Sequence, residues 1–149
     1  MEFSDNQLKE YMQRCIDLAK QATDNGVKKP FIGALVISGK GEIVGEGYRS
    51  FIPHTKIICN AERIALEGAG DLAKGGTLIT TLEPFNIKED YTLSSSCTQL
   101  IVKKCIETIV IGSFDTFKEN DEGIKYLTDS GVKIVRYTNL KDVIREELV

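Results

Sequence analysis

Residues 60–84 read NAERIALEGAGDLAKGGTLITTLEP. Asn60 is a strong helix N-cap, and Gly68 with Gly70 supplies a stop, so residues 60–68 are expected to form a helix. Thr77 to Leu82 is a short strand-forming run that ends before Pro84. A helix followed after a short glycine-containing connection by a strand is half of a β-α-β unit. The question is whether the flanking chain completes it.

It does so on both sides. Upstream, Phe31 to Ser38 (FIGALVIS) is an apolar run suited to a buried strand, and Gly39-Lys40-Gly41 is turn chemistry. Ile43 to Ser50 (IVGEGYRS) then pairs back as a second strand, which makes a hairpin. Before it, Leu8, Tyr11, Met12, Cys15, Ile16, Ala19 and Ala22 fall at helical spacing. This predicts a helix over residues 6–25, capped by Ser4 or Asp5 and ended by Gly26. Residues 51–58, with Pro53, read as a connection. Downstream come a polar loop over 86–96, a helix over 97–105, a strand over 108–112, a helix over 119–130, a strand over 132–137 and a helix over 140–148. A hairpin followed by repeated β-α-β units predicts a mixed five-stranded sheet with helices on both faces, a three-layer α/β/α architecture. The whole of residues 1–149 is expected to be one domain.

Bulk properties narrow the function classes. A net charge of −3 leaves no basic surplus for nucleic acid or an anionic membrane. No apolar run is long enough to span a bilayer. The acidic, polar start Met1-Glu2-Phe3-Ser4-Asp5 is not that of a signal peptide, so a cytoplasmic location with reduced thiols is expected. The four cysteines (Cys15, Cys59, Cys97, Cys105) form no CxxC pair, and Cys15 and Cys105 in particular read as small buried hydrophobes.

Three features lie where chemistry is expected. One helix opens with Asn60-Ala61-Glu62, the strand before the polar loop runs into Glu83-Pro84-Phe85, and the next helix opens at Cys97. Zinc-dependent base deaminases use an H-x-E motif on one helix and P-C…C at the start of the next. There a His and two Cys hold Zn²⁺ with one open position for water, and the Glu carries a proton from that water to the leaving amine. The chain resembles the deaminase domain of the riboflavin-biosynthesis pyrimidine deaminases, within the cytidine-deaminase-like superfamily. The resemblance runs through KKPFIGALVISGKGEIVGEGYRS, through NAERIALEGAGDLAKGGTLITTLEP and through CTQLIVKKCIETIVIGSFD, in that order.

The departures fall where the metal is expected. By this resemblance Asn60 stands in place of the histidine ligand and Phe85 in place of the first cysteine ligand. Cys97 keeps the second cysteine and Glu62 the proton-shuttling carboxylate. An Asn amide is a poor substitute for imidazole on zinc, and a phenyl ring offers no donor. Without the metal, water keeps its high pKa, and Glu62 alone cannot make hydroxide at neutral pH.

Each residue also has a plainer reading. Asn60 serves as a helix cap through its side chain, bonded to the Glu62 or Arg63 amide, or else contacts a base edge. Glu62 is favoured in the first helical turn by the dipole, with or without a pocket role. Phe85 is core or pocket wall, or stacks on a planar ligand. Cys97 is a packed relic or a reactive thiol at a helix start. His54 is a loop residue or a contact to a substrate phosphate. His54, Cys59 and Cys97 together also form the right ligand set for a rebuilt zinc site.

Two functions follow. The first is a zinc-free, catalytically degenerate deaminase fold that binds a nucleotide-like or pterin-like ligand or supports a partner deaminase subunit. The second is an active zinc-dependent pyrimidine or nucleotide deaminase with relocated ligands. A reuse of the fold with Cys97 as nucleophile is a third. The resemblance also implies a homo-oligomer, by default a dimer.

Overall fold

The computed structural model describes residues 2–83, 97–114 and 119–149. The first element is α1 (Asp5–Lys20), continued by a 3-10 turn (Gln21–Asn25) that Gly26 ends at φ 78°. The cap is Ser4, and it forms a complete capping box. Its hydroxyl accepts from the Gln7 amide, and the Gln7 side chain accepts from the Ser4 amide.

The hairpin is β1 (Gly33–Ile37) and β2 (Ile43–Tyr48), antiparallel, with a register irregularity between Val36 and Ile37. Two short strands follow, β3 (Ser50–Phe51) and β4 (Ile58–Cys59), paired as a separate two-stranded ribbon. The reading of residues 51–58 as a bare connection missed this ribbon, because two-residue strands carry no periodicity to detect. Then come α2 (Ala61–Ala69), a 3-10 turn (Gly70–Ala73), β5 (Thr77–Thr80), α3 (Cys97–Lys103), β6 (Thr108–Ile111), α4 (Glu119–Asp129), β7 (Lys133–Arg136) and α5 (Lys141–Leu148).

The main sheet has the order β2-β1-β5-β6-β7. β1 is antiparallel to β5, whereas β5, β6 and β7 run parallel. This is the mixed five-stranded sheet expected from the sequence. Alternation along the strands builds two cores. Ala34, Val36, Leu78, Ile109 and Ile111 face Ala61, Ala65, Leu66, Leu100, Ile101 and Leu127 of α2, α3 and α4. Leu35, Ile37, Ile79 and Val110 face Met12, Cys15, Ile16, Ala19, Ile144 and Leu148 of α1 and α5. Covering both faces is why β1 and β6 read as unbroken apolar runs.

Helix and sheet approach closely at two places, α1 on β1, where a Cβ on Gly33 would sit 1.9 Å from the Cys15 carbonyl oxygen, and α2 on β2. A Cβ on Gly45 would sit 2.1 Å from the Ala65 carbonyl oxygen, and one on Gly47 would sit 2.5 Å from that of Ala61. Ala61, Ala65 and Ala69, spaced by one turn, present the small side of α2 to these glycines. Small residues on both sides let the helix backbone lie almost directly on the strand. That contact fixes the depth of the first turn of α2, which carries Glu62.

Not every cysteine follows the expectation. Cys15 is fully buried, but Cys105 is exposed. It lies two residues past α3 at φ 60°, so the chain reverses there instead of continuing the helix inward.

Candidate functional site

The site lies where the N-terminus of α2 meets the C-terminal end of β5 and the start of α3. Asn60 occupies the N-cap position with an extended backbone (φ −71°, ψ 148°), and its carbonyl accepts the first helical bond, from the Ile64 amide. The position is the one read from the sequence, but the side chain does not cap. Asn60 Nδ2 instead donates to Cys97 Sγ at 3.2 Å, across 37 residues of chain. Cys97, the first residue of α3, is buried. The expected local bond loses to a partner that only the packing of α3 beside α2 supplies.

Glu62 is 3% exposed. Period-two alternation puts Thr80 on the α2 face of β5 with Leu78, and Thr80 Oγ1 lies 2.9 Å from Glu62 Oε1. Burial pushes the Glu62 carboxyl above its usual range. Its own backbone N–H, the Thr80 hydroxyl and the positive charge of Arg49 oppose that push without cancelling it. Arg49, between β2 and β3, is anchored by donating from Nη1 to the Lys28 and Pro30 carbonyls at 2.8 and 3.2 Å. Glu62 is therefore a buried carboxyl and not a solvated first-turn carboxylate.

The remaining candidates lie in different surroundings. His54 is exposed, at φ 64° in the turn that joins β3 to β4, and Cys59 is half-buried in β4. Among the described residues no three or more His, Cys, Asp or Glu side chains form a group able to hold a metal ion, so His54, Cys59 and Cys97 are not gathered into one. Phe85 lies outside the described residues.

Two residues of the site were missed in the sequence. Thr80 had a signal, since TLITTL puts three hydroxyls in a strand-forming run that is otherwise apolar. Arg49 had none, because its influence on Glu62 depends on the strand and helix meeting in space.

A carboxyl at a helix N-terminus and a thiol at the start of the next helix thus flank the end of the central strand of an α/β sheet. Residues 5–113 match the family model described as the cytidine and deoxycytidylate deaminase zinc-binding region, and the chain belongs to that family. It is 34% identical over 126 residues to the diaminohydroxyphosphoribosylamino-pyrimidine deaminase of Buchnera aphidicola subsp. Schizaphis graminum, covering 83% of this chain and 80% of that protein. It is 33% identical over 127 residues to the chloroplastic riboflavin biosynthesis protein PYRD of Arabidopsis thaliana, covering 83% of this chain but 28% of that protein. Among solved structures, the Thermotoga maritima diaminohydroxyphosphoribosylaminopyrimidine deaminase/5-amino-6-(5-phosphoribosylamino)uracil reductase superposes with a TM-score of 0.78 at 30% identity. That match covers 95% of this chain and 39% of the other. The chain thus spans about a third or less of several curated relatives, from 28% to 33%.

No helix among the described residues is long and apolar enough to cross a membrane.

Proposed function

We propose that this chain is a single-domain, zinc-free member of the deaminase family that acts by binding a planar nucleotide-like or pterin-like ligand, or as the supporting subunit of a deaminase assembly. One observation carries the reading: Asn60 Nδ2 donates directly to Cys97 Sγ. Zinc in such a site needs three N, S or O donors besides its water. The residue at the histidine place turns an N–H, and not a lone pair, toward the remaining sulfur. The residue at the other cysteine place in the sequence is Phe85, which has no donor. The donor chemistry of this set does not fit zinc. Glu62 is then a polar group for recognition and no longer a proton shuttle between metal-bound water and amine. Its carboxyl, shifted by burial toward the neutral form, would donate to and accept from the edge of a heterocycle when protonated, and Phe85 would stack on its face. A homodimer and a cytoplasmic location belong to the same proposal.

The test is elemental analysis of protein purified without added metal. The expected result is no stoichiometric zinc. One zinc per chain, lost in Cys97→Ala, would overturn the proposal and favour an active zinc deaminase that recruits His54, Cys59 and Cys97, the reading that the family's own zinc-binding character supports. As a gain-of-function arm, Asn60→His with Phe85→Cys is expected to bind zinc tightly. A folded double variant with no zinc affinity would show the site to be wrongly located.

A further inference from the structure

Thr80 Oγ1 has two acceptors within reach, Glu62 Oε1 at 2.9 Å and the Leu82 carbonyl oxygen at 3.0 Å. A hydroxyl carries one proton and can donate to only one of them at a time. Thr80 is fully buried and Glu62 nearly so, which makes an unsatisfied oxygen in this cluster costly. Each arrangement of the hydroxyl proton therefore goes with one form of the carboxyl. When Glu62 is protonated, its O–H donates to Thr80 Oγ1, and the Thr80 proton goes to the Leu82 carbonyl, so all three oxygens are paired. When Glu62 is ionised it has no proton to give. Thr80 must then turn its hydroxyl to the carboxylate and release Leu82.

We infer that Thr80 is the positioning residue for Glu62, a two-way hydroxyl that holds the buried carboxyl in place in both its neutral and its ionised form. The Leu82 carbonyl it releases lies two residues on in the chain, just past the end of β5, so the state of Glu62 is coupled to the backbone at the end of that strand. Among the described residues, Arg49 from the β2–β3 corner favours the ionised form, an ionised Glu62 in turn pushes up the thiol of Cys15 of α1, which burial already holds neutral, and Glu83, also buried, follows Leu82 directly. The inference concerns the same residues as the zinc-free reading and rests on it for its functional meaning, but its test reads Glu62 itself and not metal content.

The experiment is a carboxyl-carbon NMR titration of the full chain, with Glu62→Gln identifying the Glu62 signal. Thr80→Val keeps the shape and deletes the hydroxyl, and Thr80→Ser restores it. In Thr80→Val the ionised form keeps its own backbone N–H but loses the hydroxyl donor, so the proton affinity of Glu62 is expected to rise about tenfold or more, the least expected from loss of a bond to a charged group. Thr80→Ser is expected to return the titration to that of the unaltered chain. If Thr80→Val does not fold, Thr80→Ala carries the same prediction. Superimposable titrations in the presence and absence of the hydroxyl, or a Thr80→Ser curve that follows Thr80→Val, would overturn the assignment. A zinc-containing protein with these shifts intact would overturn only the zinc-free reading.

Discussion

Gly47→Ala tests the packing that sets the depth of the site. The new Cβ would lie 2.5 Å from the Ala61 carbonyl oxygen, 2.9 Å from the Ile64 Cβ and 3.0 Å from the Ala65 nitrogen. All three belong to the first turns of α2, and two are backbone atoms that no rotamer change can move. Restoring ordinary contact at 3.4 Å means a retreat of the helix by about 0.9 Å. Overpacking of this kind costs about 1–3 kcal/mol, and replacing a strand glycine by alanine returns about 0.5–1 kcal/mol. The two ranges leave about 0–2.5 kcal/mol, and because two of the three clashing atoms are backbone the loss is expected in the upper half, about 1–2.5 kcal/mol, or about 2–10 °C in Tm for a chain of this size. Gly68, an exposed helical residue with nothing within 4 Å of its would-be Cβ, is the control. Gly68→Ala is expected to stabilise by up to about 1 kcal/mol. Urea unfolding monitored by circular dichroism, with the slope unchanged, gives both values. Because the retreat moves the residue before Glu62, the Glu62 Oε1 to Thr80 distance of 2.9 Å should lengthen and the Glu62 titration should shift with it. A Gly47→Ala protein as stable as the unaltered chain would refute the claim that close backbone contact positions α2.

Three more outcomes are expected. Glu62 has a folded-state pKa raised above its ordinary 4.5 by burial, so the folded chain binds the extra proton and loses stability as pH rises from that value through the folded pKa. Glu62→Gln is therefore expected to flatten this decline and to be the more stable protein at alkaline pH, with the difference vanishing in acid; parallel declines in both proteins would refute it. Ser4→Ala removes half of the capping box on α1 and is expected to cost about 1 kcal/mol by chemical denaturation. Exposed Cys105 should react with iodoacetamide in the native protein, whereas Cys15, buried and with its thiol pKa pushed up by desolvation, should react only on unfolding, as peptide mapping will show.

The elements were legible because each has a local cause. The apolar spacing from Leu8 to Ala22 makes a helix in any context that buries one face. Gly26 and Gly70 stop helices at φ 78° and 56°, which the sequence signals by residue type alone. The uninterrupted apolar runs of β1 and β6 require cover on both faces, and so imply the third layer. The ribbon of β3 and β4 was not legible, since it rests on cross-strand pairing between Ser50 and Cys59 and between Phe51 and Ile58.

The same division holds within the site. Sequence by itself determined which residues stand at the critical positions: a carboxyl at Glu62, a thiol at Cys97, and an amide at Asn60. It also determined that Asn60 would begin a helix. Tertiary structure decided what those groups do. Asn60 leaves its own helix end to reach Cys97, because α3 packs close enough to offer a buried sulfur. Glu62 takes the Thr80 hydroxyl, because Gly45 and Gly47 let α2 lie against the sheet at that depth. The reason is that backbone preference acts over a few residues, whereas the partner of a buried polar group is chosen by whatever the folded chain brings within 3 Å or so of it.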